Sequence, residues 1–247
     1  MPLSRSVYDR PMLTTPLLLI TAALLGAAST TPEQRDGWHA GRHAAINKVV
    51  KANAGQVDLV FVGDSITQAW ENAGASVWDD SYGTRRAVNL GISGDRTEHV
   101  LWRLENGNLE GISPKVAVIM IGTNNIGHKT HSTAEVLSGV RAVVDGIHAR
   151  SPETRVLLLD IFPRGQQFNQ DRGRITQINQ ALARLHDGDR VVFLPIGHVF
   201  IEDDGSISKE IMPDSLHLST EGYRRWRDAI EPTLRSMLGE DAPKKAE

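Results

Sequence analysis

The chain has 247 residues, enough for one sizeable hydrophobic core, and 40% apolar with 23% charged residues is the composition of a globular protein. A formal net charge of −3 argues against electrostatic capture of nucleic acid or of an acidic membrane surface. There is no cysteine, which excludes disulfides, thiolate catalysis and Cys-ligated zinc and leaves the redox compartment open.

Residues 1–29 differ from the rest. Arg5 and Arg10 precede an apolar run, Leu17 to Leu25, which ends in the small residues Gly26-Ala27-Ala28-Ser29. A basic start, a short apolar stretch and small residues at a cleavage point describe a secretory signal peptide. The run spans a bilayer comfortably only if residues 12–28 are taken whole, so an uncleaved N-terminal membrane anchor is the alternative. The expectation is an exported protein, periplasmic or secreted after cleavage and membrane-anchored without it.

From residue 32 to 238 the pattern is that of one domain, followed by a polar tail over 239–247. Trp38, Ile46, Val49 and Val50 form an apolar stripe on a predicted helix within residues 32–56. Residues 58–62 read as a buried strand that stops at Gly63. Ser65 then opens a predicted helix over 66–73, which Gly74 ends. A short strand over 87–90 runs into Gly91-Ile92-Ser93-Gly94-Asp95, and a helix covers 97–105. The continuous apolar run at 116–121 predicts a strand covered on both faces, ending at Gly122-Thr123-Asn124-Asn125. Ser132 and Glu135 form a capping box for a helix carrying Val136, Val140, Val143 and Ile147 on one face. A fourth strand (155–161), a helix with Ile175, Ile178, Leu182 and Leu185, a fifth strand (191–194) and a last helix (220–238) complete the chain. Strands alternating with helices at this spacing predict βαβ units and a five-stranded parallel sheet in an α/β fold.

Chemistry-bearing residues collect just beyond the strands, where parallel sheets bind ligands. Ser65 follows the first strand and is a candidate nucleophile, although a serine there also reads as a helix cap. Gly94 can offer an unobstructed N–H and Asn124 a side-chain amide. With the Ser65 N–H these make three donors for a developing oxyanion, yet singly they also read as turn and loop-closing residues. His217 has Asp214 three residues before it, a spacing that lets a carboxylate orient an imidazole base; by itself it also fits turn chemistry beside a surface histidine. The order Ser, Asp, His suits a nucleophile on an early strand and a base delivered late, while the Gly-x-Ser-x-Gly elbow of ordinary α/β-hydrolases is absent.

Gly63-Asp64-Ser65, Gly94, Gly122-Thr123-Asn124 and Asp214-Ser215-Leu216-His217, in this order, resemble the four blocks of the SGNH (GDSL-type) hydrolases. The flanks Asn89 to Asp95, His99 to Gly107 and Pro163-Arg164-Gly165-Gln166 are similar to the platelet-activating-factor acetylhydrolase branch, over roughly residues 57–238. The resemblance implies a flavodoxin-like three-layer α/β/α fold and a serine esterase that uses no metal and no cofactor. It implies Ser65 as nucleophile, His217 as base, Asp214 as its orienter, and Ser65, Gly94 and Asn124 as the oxyanion hole. A homodimer follows by family analogy only. The expected substrate is a short-chain, above all acetyl, ester of a carbohydrate, lipid or small molecule. The alternatives are a lysophospholipase or thioesterase on longer chains, and a non-catalytic ligand-binding module. One block departs from the family, reading Gly-Asp-Ser-Ile for Gly-Asp-Ser-Leu, a volume-conserving change.

Other conspicuous residues take structural readings. His128 and His131 lack an accompanying carboxylate cluster and are expected on a solvated loop rather than at a metal. Arg164 is expected to support structure, Asp64 to stabilise its loop, and Trp102 and Trp226 to lie in the core.

Overall fold

A computed structural model describes residues 28–240. The expected signal segment before residue 28 and the tail beyond residue 240 lie outside the described residues. Thirteen regular elements follow in chain order: α1 (Trp38–Ala52), β1 (Leu59–Gly63), α2 (Ser65–Gln68), α3 (Ala75–Tyr82), β2 (Ala87–Asn89), α4 (Thr97–Glu105), β3 (Val116–Met120), α5 (Thr123–Gly127), α6 (Thr133–Arg150), β4 (Arg155–Leu159), α7 (Gln170–Leu182), β5 (Val191–Leu194) and α8 (Thr220–Leu238). Short 3-10 turns extend or bridge several of them.

All strand pairs are parallel, and the sheet order is β2-β1-β3-β4-β5. That is the flavodoxin order, in which the strand sequence reverses between β1 and β3. Chains leaving those two strands diverge, and the crevice between them is a ready ligand site.

Strands β1 and β3 are buried at every position because helices cover both faces. The period-2 geometry of a strand divides their side chains between two cores. Val60, Val62, Ala117 and Ile119 face α1, α4, α6 and α7, where Ile46, Val100, Val140 and Ile178 meet them. Leu59, Phe61, Val118 and Met120 face α2, α3 and α8. The second core is aromatic: Phe61, Trp70, Tyr82, Phe162, Tyr223 and Trp226 pack edge-to-face or tilted, except that Tyr223 and Trp226 stack, with centroids 4.5–6.3 Å apart. Along α8, Tyr223, Trp226, Ile230 and Leu234 fall at helical spacing and are fully buried. Burial of Ile230 and of Leu234 contributes about 1.5–3 kcal/mol of transfer free energy each.

Three predicted elements need correction. The helix expected over 66–73 is a single α-turn, α2, followed by a 3-10 turn at Ala69–Glu71, and a separate helix, α3, begins after Gly74. The helical path breaks at Asn72, φ −129° and ψ −97°, and a Cβ at Gly74 would lie 2.8 Å from the Trp70 ring and 2.9 Å from the Tyr223 ring, so only glycine fits where α3 starts. The segment after Gly122, read as a loop, opens with the one-turn helix α5. On α1 only half of the predicted stripe is core: Ile46 and Val50 are buried, whereas Trp38 and Val49 are 55% and 47% exposed.

Candidate active site

The turn from β1 into α2 is tight. A Cβ on Gly63 would lie 2.1 Å from Thr67 Oγ1 and 2.4 Å from the Met120 carbonyl oxygen, so any side chain would force the crossing apart. Asp64, wholly buried, accepts from the Ile66 N–H at 3.0 Å and is the residue that caps α2. Ser65, which from sequence could itself be the cap, is thereby released. Its Oγ lies 2.8 Å from His217 Nε2, a residue 152 positions later. The Tyr223 hydroxyl donates to the Ile66 carbonyl at 2.6 Å, pinning this one-turn helix to α8.

His217 sits on a loop that Asp214 organises. Asp214 Oδ1 accepts the N–H groups of Leu216 (3.0 Å) and His217 (2.7 Å), and Oδ2 lies 2.6 Å from His217 Nδ1. Ser215 between them takes φ 61°, the left-handed bend that lets one carboxylate reach both the backbone and the ring. Partial burial works against ionisation of Asp214, but the bonds from the His217 ring, the His217 N–H and the Leu216 N–H outweigh it and hold the carboxyl below its usual range. The loop is tied to the β4 end by the Gly165 N–H, which donates to the Ser215 carbonyl at 2.8 Å.

Gly94 and Asn124 close the crevice from the β2 and β3 ends. Gly94 adopts φ +75°, and among the described residues no acceptor takes its N–H. Asn124 Nδ2 donates to the Asp95 carbonyl at 2.9 Å, and its other nearby acceptor, Asp64 Oδ2, is 3.4 Å away. At that distance the second amide proton is weakly engaged and available to a better acceptor. Burial, opposed by the Ile66 N–H and reinforced by the Asp95 charge, pushes the Asp64 carboxyl up to about 7. The two loops meet through Gly63, whose carbonyl accepts from the Ile92 N–H and from Arg103 Nη2, both at 3.3 Å. Hydrogen bonds thus join Ser65, His217 and Asp214, and tie Asn124 to Asp64 beside Ser65 and to Asp95 beside Gly94, at the strand-order reversal.

Several supporting residues were not legible beforehand. Arg103, buried in α4, donates to Asp95 Oδ2 and the Leu90 carbonyl, both at 2.8 Å. Arg164 fulfils its structural reading by donating to the Thr123 carbonyl at 3.0 Å. The reading of His131 as solvated is corrected: it is buried beside Asn125, 3.9 Å from the buried Glu98. Trp226 is core as expected, whereas Trp102 is only half-buried, its ring edge against His43.

Glu33, Glu98 and His99 bring ligand-type atoms within 4.8 Å of one another. Arg96 is bonded to Glu98 and lies 3.7 Å from Glu33, so guanidinium already compensates these carboxylates. Burial, followed by Arg96, Arg35 and Arg103, depresses the His99 imidazole to about 3. The cluster is an ion-pair network with a neutral histidine.

The profile of the GDSL-like Lipase/Acylhydrolase family matches residues 61–225, from β1 into α8. The chain belongs to this family. Human platelet-activating factor acetylhydrolase IB subunit alpha1 is 38% identical over 218 residues, covering 87% of this chain and 92% of the relative. Two solved structures share the fold. A GDSL-like lipase from Bacteroides thetaiotaomicron has TM-score 0.63 and 20% identity over 81% of this chain and 96% of the other. An acetylxylan esterase from Geobacillus stearothermophilus has TM-score 0.59 and 19% identity over 78% and 98%. This GDSL-like acylhydrolase is a carboxylic ester hydrolase.

Proposed function

We propose that the enzyme cleaves short-chain acyl esters, acetyl esters foremost, through a covalent acyl-Ser65 intermediate. The observation that carries this is the relay from Ser65 Oγ to His217 Nε2 at 2.8 Å and from His217 Nδ1 to Asp214 Oδ2 at 2.6 Å. In that relay His217 accepts the Ser65 proton as Oγ bonds to the acyl carbon. The imidazolium, steadied by Asp214, then protonates the departing alcohol. Water enters, gives its proton to His217 and attacks the acyl carbon; the tetrahedral intermediate expels Ser65, which takes the proton back. The N–H groups of Ser65 and Gly94 and the Asn124 amide receive the oxyanion of each tetrahedral intermediate.

The acetyl preference is supported by the names of the relatives, an acetylhydrolase subunit and an acetylxylan esterase. The alcohol half is a carbohydrate, a lipid or a small molecule. Acetate release from aryl acetates, acetylated sugars and acetylated lipids tests the reading, with a chain-length series of aryl esters defining the acyl group. Wild type should be most active on acetate esters, and Ser65→Ala should lose nearly all turnover. Equal acetate release by the two proteins would sink it. We further propose that the enzyme acts outside the cytoplasm, on the support of Arg5, Arg10 and the apolar run to Leu25. N-terminal sequencing of protein from the extracellular or periplasmic fraction checks this, and recovery of all the protein from the cytoplasm rejects it.

A further inference from the structure

The segment before α1 is not a passive leader to the domain. Ser29, almost fully buried, donates from Oγ to the Glu135 carbonyl, and its own carbonyl accepts from Thr97 Oγ1 at 2.8 Å. The Glu33 N–H donates to the Glu98 carbonyl at 3.1 Å. Residues 29–35 are thereby strapped along the N-terminal end of α4, immediately behind the Gly94 loop.

At the end of this strap lies Arg35. Its Nη1 donates to the Ser93 carbonyl at 2.9 Å and to Asp95 Oδ1 at 3.0 Å. A Cβ built on Gly94 would lie 3.2 Å and 3.3 Å from its two terminal nitrogens, so the guanidinium lies against that glycine. Arg35 therefore grips the residues on both sides of Gly94. The second carboxylate oxygen of Asp95 is held by buried Arg103, and the Asp95 carbonyl is the acceptor that fixes Asn124 Nδ2. One aspartate between two arginines thus sets the Gly94 peptide through its flanks and the Asn124 amide through its carbonyl.

We propose that Arg35 is a positioning residue of this enzyme: through Ser93 and Asp95 it holds two of the three oxyanion donors, Gly94 N–H and Asn124 Nδ2, in register with Ser65. Arg35 lies outside residues 61–225, where the family profile matches, so the catalytic unit extends upstream of the first strand. The inference rests on the proposed acyl-serine chemistry. Its physical basis is that oxyanion donors act by preorganisation, and that a displacement of about 1 Å at a reacting group can cost roughly 100-fold in rate. Arg103 alone leaves Asp95 Oδ1 and the Ser93 carbonyl without their guanidinium, and the loop gains freedom where the oxyanion forms.

The test uses the full chain as wild type, Arg35→Ala, Arg35→Lys and Ser65→Ala. Aryl acetate kinetics are normalised to the Ser65 titrated by an organophosphonate. Arg35→Ala should lose roughly 10- to 100-fold in kcat with KM changed less than about threefold, and its Ser65 should still label to completion, but more slowly. Arg35→Lys, which keeps one cationic donor, should fall between, and millimolar guanidinium should partly restore Arg35→Ala. A kcat per labelled serine within twofold of wild type in Arg35→Ala overturns the proposal. If that variant fails to fold, Arg35→Lys decides by the same criterion, with wild-type kcat per labelled serine overturning it and a selective kcat loss supporting it. Loss of turnover in Ser65→Ala with none in the Arg35 variants refutes this inference alone, whereas full turnover in Ser65→Ala removes the chemistry on which it stands.

Discussion

Asp214 holds His217 twice, by the ring at 2.6 Å and by the backbone N–H at 2.7 Å, using a different carboxylate oxygen for each. The same side chain therefore shapes the loop and selects the tautomer in which Nε2 is free to accept from Ser65. Asp214 and His217 are about half-exposed, with side-chain accessibilities of 57% and 42%. Ion pairing at such a site adds little to stability, so its effect belongs in the chemistry.

Asp214→Asn separates these two tasks. The amide oxygen can still accept the His217 N–H, but an amide nitrogen facing Nδ1 imposes the wrong tautomer. The expected outcome is an unchanged urea midpoint with kcat down by roughly 10⁴, read on an aryl acetate. A loss below about tenfold would show that the carboxylate does not orient the base.

On the proposed mechanism Asn124→Ala removes one oxyanion donor; it also leaves the Asp95 carbonyl without its partner. A kcat loss of roughly 10²–10³ with little change in KM is expected. Organophosphonate labelling of Ser65 should slow as well, since phosphonylation also builds charge on an oxygen in that position. Loss confined to KM would assign Asn124 to ground-state binding.

Asp64 gives the fold a pH dependence. Its carboxyl titrates at about 7 in the folded chain and near 4 when unfolded. Between those values the native state binds the extra proton, so stability falls as pH rises; the contribution is full below about pH 4 and lost by about pH 7. Urea midpoints across that range should decline in wild type and decline less steeply in Asp64→Asn, whose amide oxygen can still cap Ile66. Parallel curves for the two proteins would show that Asp64 is ionised throughout.

What the residue order settled by itself depends on local pattern. Continuous apolar runs located the strands because a doubly covered strand has no polar face. The stripe through Tyr223, Trp226, Ile230 and Leu234 gave α8 its bounds, and Ser132 with Glu135 gave the start of α6, because capping and helical periodicity act within a few residues. Ser65, Gly94, Asn124, Asp214 and His217 stood out because each follows a strand or precedes the last helix in a known block order. Tertiary structure decided what depends on partners distant in sequence. The rings of Trp70 and Tyr223 restrict the start of α3 to glycine at Gly74, and His131 is buried by its approach to Asn125 and Glu98. The clamp on the Gly94 loop joins Arg35, Asp95 and Arg103, which no local pattern links. Ser65 itself shows the division most plainly: sequence left it between cap and nucleophile, and the fold gave the cap to Asp64 and brought His217 to its hydroxyl across 152 residues.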